Sequence, residues 1–430
     1  MAPHPVRLTV EDDLHRSRLT VFFRLLLAIP LLIWLWLWSI AAVVAGIANW
    51  VVTLIAGRSP EGLHRFLSAY VRYTTHVLAY VLLAANPYPG FTGSPGYPVD
   101  LEIEAPQPQR RLVTAFRLIL AIPALLLTVA FIGTSGSSGG EYGQTSSEPS
   151  WWSTGSSGGV LFVVALLGWF AVLATSRMPK GFRDLQAYGL RYVAQVLAYA
   201  LVLTERYPNV DPAEPTATGP DHPVRLVVSD DLHRSRLTVF FRLLLSIPHI
   251  VWFALWSVAV FFAALATWIA ALLTGSPPSA LHRFLSAYVR YSQHVSAYLF
   301  LTANPFPGFT GTAGSYPVDV ELPPPGRQRR VVTAFRLFLA LPAFAVSSAL
   351  GTLLFATGFL GWFVALVTGR MPHSFREAQA YAIRYSAQGE AYLLLVTDRY
   401  PFSGPALGSP PEPEAGSRSV LPADPAPSIA

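Results

Sequence analysis

Four arginines at matched places are the residues of this sequence best suited to chemistry. Arg24, Arg117, Arg242 and Arg336 each open an apolar run, and a proline follows six residues later, at Pro30, Pro123, Pro248 and Pro342. A guanidinium at the mouth of an apolar segment has two uses. Its ordinary role is an anchor that snorkels to a membrane interface along its own stem. Its functional role is a fork for the phosphate or carboxylate of anionic lipid headgroups. A second set, Arg72, Arg191, Arg290 and Arg384, lies in mixed segments as Arg72-His76-Tyr80, Arg191-Gln195-Tyr199, Arg290-His294-Tyr298 and Arg384-Gln388-Tyr392. Residues four and eight apart share one helical face, here a hydrogen-bonding face turned to solvent or to headgroups. Glutamine replaces histidine in two copies, so a reaction needing an imidazole is open to half of them at most.

Other chemistries lack their residues. His15, His64 and His76 return as His233, His282 and His294, but without the HExxH spacing of a helical metal site, and Asp12 and Asp13 read as solvating a turn. The chain has no cysteine, which removes thiolate chemistry and Cys-based metal sites. A Walker-type loop and a GxGxxG turn are missing, and G-x-S-x-G occurs only as GSSGG within the polar Gly/Ser insertion (136–140 and 155–159), not at a strand-to-helix elbow. No catalytic residue, cofactor or metal is therefore assigned, and the expected protein is not an enzyme. Its basic residues border apolar runs, which reads as topology and lipid contact rather than nucleic-acid binding.

The elements that position these residues repeat. HPVRLTVEDDLHRSRLTVFFRLLL at 4–27 returns with few changes at 222–245, and LHRFLSAYVRY at 63–73 returns unchanged at 281–291. Each half is itself double, because the Arg and Pro positions, a later tryptophan (Trp50, Trp169, Trp268, Trp362) and the Arg-Tyr pairs keep register four times. The units span 4–91, 98–210, 222–309 and 317–402, with a Pro-rich tail at 403–430 expected to be disordered. Each contains a short alternating strand (VRLTV, VDLEIE, VRLVV or VDVEL), an apolar run and a mixed segment of about 22 residues.

Composition sets the environment. Of 430 residues, 52% are apolar and 13% charged, where soluble domains carry roughly 25% charge; mean hydropathy is +0.43. The apolar runs of units 1, 3 and 4, about 37 residues each, exceed what one crossing of a ~30 Å hydrocarbon core needs. Unit 2 breaks its run with a polar Gly/Ser insertion, 133–159, whose backbone is unsuited to lipid. The matching turns fall near Ser39, Ser257 and Ser348. These features give an all-α membrane protein of four helical hairpins, about eight transmembrane helices, with amphipathic interfacial helices and short cytoplasmic β-strands. Basic residues flank the hairpins on one side only, which under the positive-inside rule puts both termini in the cytoplasm and makes the repeats parallel.

FFRLLLAIP, the W-x6-GRSP element with its variants, and an Arg-Tyr helix ending in RYP-F together resemble the bacterial membrane family catalogued as domain of unknown function 4389. The resemblance covers about residues 4–402 in four copies. Arg58 of GRSP is matched by Arg177 and Arg370 but becomes Ser276 in unit 3. The resemblance implies a multipass membrane protein and supplies no activity, substrate or site residue. The function expected is a non-enzymatic scaffold in the inner membrane, engaging lipid headgroups or partner proteins at the cytoplasmic face. The alternative is a channel or carrier for a small or lipid-like solute, lined by Asn49, Ser246, Thr267 and Thr357.

Overall fold

A computed structural model describes residues 4–133, 158–212 and 222–405. The polar insertion, the end of the linker and the tail from 406 lie outside the described residues, and with them the loop and the disorder expected there.

Unit 1 opens with β1 (Val6–Val10), a five-residue helix α1 (Arg18–Phe22), and the apolar helix α2 (Arg24–Ala56). Gly57 ends α2 in the left-handed region at φ 76°, a conformation glycine adopts without a Cβ clash. Pro60 then starts the 21-residue α3 (Glu61–Val81). Unit 2 repeats the order with β2 (Val99–Ile103), α4 (Arg111–Ala115), α5 (Arg117–Ile132), α6 (Val160–Thr175) and α7 (Lys180–Ala200). Unit 3 contains β3 (Arg225–Val228), α8 (Arg236–Thr274) and α9 (Ser279–Leu299). Unit 4 contains β4 (Val318–Glu321), α10 (Arg330–Ala334), α11 (Arg336–Thr368) and α12 (His373–Leu393).

The expected hairpin turns are absent from units 1, 3 and 4. Ser39, Ser257 and Ser348 lie within unbroken helices of 33, 39 and 33 residues. Ser39 Oγ donates to Leu35 O at 2.6 Å and Ser257 Oγ to Phe253 O at 2.7 Å, so each hydroxyl is satisfied one turn back and leaves the helical ladder intact. In place of eight short spans, the described residues contain three helices long and apolar enough to cross a membrane, α2, α8 and α11. Only unit 2 is broken. There Gly133 and Gly159 meet so closely that a Cβ on Gly133 would come within 2.4 Å of Gly159 N. The insertion therefore leaves and re-enters at one point between two 16-residue helices.

The hairpin of each unit lies elsewhere, between the long helix and the 21-residue helix. Along α2 and α3, Arg24 meets Tyr80 O at 2.7 Å, Tyr73 OH donates to Leu31 O at 3.2 Å, and Ser59 Oγ donates to Asn49 Oδ1 at 2.6 Å. These contacts run in opposite directions along the two chains, so the helices are antiparallel. The 21-residue helices, expected at an interface, are instead the core: most of α7 and α12 is buried. Their amphipathicity has a different cause, because each packs against a long helix, a neighbouring 21-residue helix and a strand. Val77 and Tyr80 of α3 pack on Ala28 and Leu31, while Leu67 and Val71 meet Ala194 and Ala198 of α7. Tyr188 of α7 and Tyr381 of α12 meet edge to face, centroids 5.9 Å apart, and join the halves.

The strands form two antiparallel pairs, β1 with β2 (Val6 opposite Ile103) and β3 with β4 (Arg225 opposite Glu321). Each pair ties together the two units of one half.

Candidate functional site

The four arginines expected at headgroups are inside the protein. Arg24, Arg117, Arg242 and Arg336 are each at most 2% exposed. Each reaches the C-terminal end of its own unit's 21-residue helix. Arg117 Nη1 donates to Tyr199 O at 2.9 Å and Thr204 O at 2.6 Å, and its Nη2 to Gln109 Oε1 at 2.7 Å. Arg24 contacts Tyr80 O and Ala85 O, Arg242 contacts Tyr298 O and Ala303 O, and Arg336 contacts Tyr392 O and Thr397 O. The guanidinium carbons lie 4.4–4.6 Å from the ring centroids of the same four tyrosines, within cation–π range.

The need for this cap is local. The 21-residue helices end on Leu83, Val202, Leu301 and Leu395 at φ of 60–68°, a strained left-handed conformation for branched residues. That reversal turns terminal carbonyls inward, and the arginine supplies donors and positive charge where the helix dipole is negative. Proximity to an apolar run was legible in the sequence; the partners, 56–61 residues downstream in units 1, 3 and 4 and 82–87 in unit 2, were not.

The second set is also drawn inward, and its His/Gln alternation has a reason. His76 Nε2 lies 3.0 Å from Asp100 Oδ1 in β2, and Arg72 Nε donates to Leu101 O at 2.9 Å. His294 pairs likewise with Asp319 at 2.9 Å, and Arg290 with Val320 O. Where the neighbouring strand is β1 or β3, glutamine replaces histidine. Gln195 donates to Val6 O and accepts from Asn209 N, and Gln388 does the same with Val224 O and Phe402 N. A carboxylate calls for an imidazole N–H; a carbonyl with an amide N–H calls for a carboxamide. Arg191 and Arg384 donate to Asp211 O and Gly404 O. Burial lowers the His76 pKa against the opposing pull of Asp100. Burial of Asp100 acts to raise its pKa, but hydrogen bonds from Gly96 N, His76 and Leu101 N bring it below the usual value.

The candidate metal residues are scattered. His15 bridges to Arg177, His64 lies on α3 near Ser68, and among the described residues no three His, Asp or Glu side chains group as ligands. Asp12 does more than solvate a turn: it ion-pairs at 2.8 Å with Arg16, itself 0% exposed, which also donates to Ala84 O. Asp230 and Arg234 repeat this pairing. The polar residues expected to line a pathway are buried with protein partners: Asn49 on Leu201 O, Ser246 on Arg242 O, Thr267 on Ala263 O and Thr357 on Leu353 O.

What remains exposed is an apolar belt with a basic rim. On α2, Leu25, Leu26, Trp36, Val43, Val44, Ile47 and Ile55 are 60–74% exposed, and α8 presents Leu243, Leu255, Phe261 and Leu273 similarly. The buried residues of α2 (Arg24, Ala28, Leu31, Ala42, Asn49, Thr53) occupy one stripe about 60° wide at 100° per residue. Trp38, Ser39 and Trp50, bordering that stripe, are partly covered, and the rest of the circumference is apolar and uncovered. At the ends of the long helices stand exposed arginines outside the two sets above: Arg18, Arg111, Arg236 and Arg330, each six residues before a buried one. Arg18 donates to Ala174 O and Arg330 to Leu273 O, at the last turn of the neighbouring unit's apolar helix. Their fourfold spacing was the signal available.

A family described as "Domain of unknown function (DUF4389)" matches four times, at residues 18–92, 151–210, 236–310 and 330–403. The matches begin at or after the start of the helices and leave all four strands outside. No curated protein and no solved structure matches the chain.

Proposed function

This chain belongs to the DUF4389 family, and from that premise we propose that it is a non-enzymatic scaffold embedded in the bacterial inner membrane, holding anionic lipids at the cytoplasmic face, where both termini lie. The observation that supports this most is the uncovered apolar circumference of α2 and α8. Soluble monomers rarely expose apolar patches beyond a few hundred Å², and acyl chains are the solvent that accepts such a surface. Headgroup contact passes from the buried arginines to the exposed rim of Arg18, Arg111, Arg236 and Arg330, whose guanidiniums stand where the apolar helices end.

The test is lipid co-purification and vesicle flotation. Replacing the four rim arginines by Gln should lower retention of anionic lipid, leave zwitterionic lipid unchanged and weaken the salt dependence. Equal anionic-lipid retention in the variant refutes the headgroup role. Solute flux or lipid flipping by the purified protein in liposomes refutes the scaffold role in favour of a channel or carrier.

A further inference from the structure

We propose that the apolar helices lie in the plane of the membrane, sunk into one leaflet, rather than crossing it; this rests on the membrane reading above and specifies its geometry. Three observations point the same way.

The first is the direction of the long helices. Trp169, late in α6, donates to Val21 O just before α2, and Trp50, late in α2, donates to Thr114 O just before α5. Trp362 and Trp268 repeat this exchange with Val239 O and Thr333 O. Within each half, one long helix therefore starts where the other ends. A crossing arrangement would divide the basic rim across the bilayer, Arg18 and Arg177 on one side, Arg58 and Arg111 on the other. Lying flat, the same helices keep every basic end at one depth.

The second is the position of the strands. β2 is held at the middle of α3, through Arg72 to Leu101 O and His76 to Asp100. Because α3 runs alongside α2, a crossing α2 would carry this sheet to mid-bilayer. The sheet's outer face holds Arg7, Glu102 and Glu104, with side chains 46%, 64% and 38% exposed, and a two-stranded ribbon has unpaired edges. Neither charges nor open strand edges sit in hydrocarbon. Water must reach the sheet, so α3 cannot be perpendicular to the bilayer.

The third is the narrow buried stripe of α2, which leaves about two-thirds of its circumference apolar and uncovered. A helix held along one side beneath a protein layer presents this profile. With a diameter of about 10–12 Å, it fits within one leaflet of a ~30 Å core. The resulting order from the membrane outward is apolar helices, 21-residue helices, strands.

The chain has no native cysteine, so single cysteines report sidedness directly. Thr9→Cys on β1, Glu61→Cys at one end of the helix layer and Lys180→Cys at the other are exposed positions. In inside-out and right-side-out vesicles of the expression host, an impermeant maleimide should label all three from the same side. Labelling of Glu61→Cys and Lys180→Cys from opposite sides overturns the proposal. Nitroxides at Leu26, Val44 and Ile55, which share the uncovered face of α2, provide a second measurement. Equal depth within one leaflet is expected, and a profile deepest at Val44 and shallow at both ends overturns it. Failure of the wild-type chain to float with vesicles refutes the membrane reading itself, whereas opposite-side labelling refutes only the orientation.

Discussion

Replacing Arg117 by Met separates a structural arginine from a lipid-binding one. The side chain is fully buried and directs three hydrogen bonds of 2.6–2.9 Å to Tyr199 O, Thr204 O and Gln109 Oε1, with the Tyr199 ring 4.6 Å away. Methionine fills most of the stem's volume but leaves these acceptors unpaired. A buried acceptor that loses a charged donor costs about 1–3 kcal/mol, and loss of the cation–π contact adds about 1 kcal/mol. Relaxation and partial rehydration reduce the total, so roughly 3–5 kcal/mol is expected, the range seen when one member of a buried charged group is removed. At ~2–4 °C per kcal/mol for a unit the size of each half, the melting temperature should fall by roughly 10 °C. The assay is thermal unfolding of the detergent-purified chain, followed by tryptophan fluorescence, with bound lipid quantified on the same samples. Arg117→Lys should recover part of the loss, since an ammonium reaches some of the carbonyls but lacks the planar fork. An unchanged melting temperature with lost anionic lipid would refute the capping role and restore the headgroup reading.

Three further outcomes follow from buried groups. Glu390 on α12 is pushed up to about 7 by burial, against hydrogen bonds from Ser292, Gln293 and Ser386. The folded chain thus holds a proton that the unfolded chain releases, and stability should decline as pH rises from about 5 to 8; Glu390→Gln should flatten that decline in melting scans. Asp100 and His76 act in the opposite sense. The lowered carboxyl contributes above its ordinary range and the contribution is lost on acidification through its lowered value; the imidazole, kept neutral by burial, resists folding once pH falls below its unfolded value. Asp100→Asn should therefore lower the melting temperature at pH 7 and weaken the further loss toward pH 4. Gly93 sits at φ 61°, and a Cβ there would meet Ala69 O at 2.3 Å, so Gly93→Ala should cost about 1–3 kcal/mol, read as a lower melting midpoint.

Periodicity exposed the fourfold repeat, the strands and both helix types, because register survives duplication and each element bears its hydrophobic period locally. It misplaced the turns. Length and the unit 2 insertion suggested a hairpin near Ser39, yet a serine that bonds back to Leu35 O does not stop a helix. Unit 2 alone carries an insertion at that point, entered and left at Gly133 and Gly159, whereas Gly351 of unit 4 lies within an unbroken helix. The amphipathic segments suit a membrane interface, with one polar and one apolar face. The same pattern suits a core helix whose polar face meets a strand, as His76 meets Asp100.

Composition and repeat spacing by themselves determined an apolar, fourfold, largely helical chain of the family matched here, with arginines at the mouths of its apolar runs. Only the tertiary structure decided what those arginines do. A guanidinium six residues before a proline is equally suited to a lipid phosphate or to a helix terminus, since both present oxygen acceptors and negative potential. The choice falls to residues far along the chain, 56 to 87 positions from the arginines, where a left-handed Leu83 or Val202 turns carbonyls inward, and no local pattern encodes that meeting. The direction of the long helices is likewise set by pairing between units, Trp50 with Thr114 and Trp169 with Val21. Charge counts along the chain had put every basic segment on one side. The fold leaves them at both ends of the helix layer, and they return to a common side when that layer lies flat.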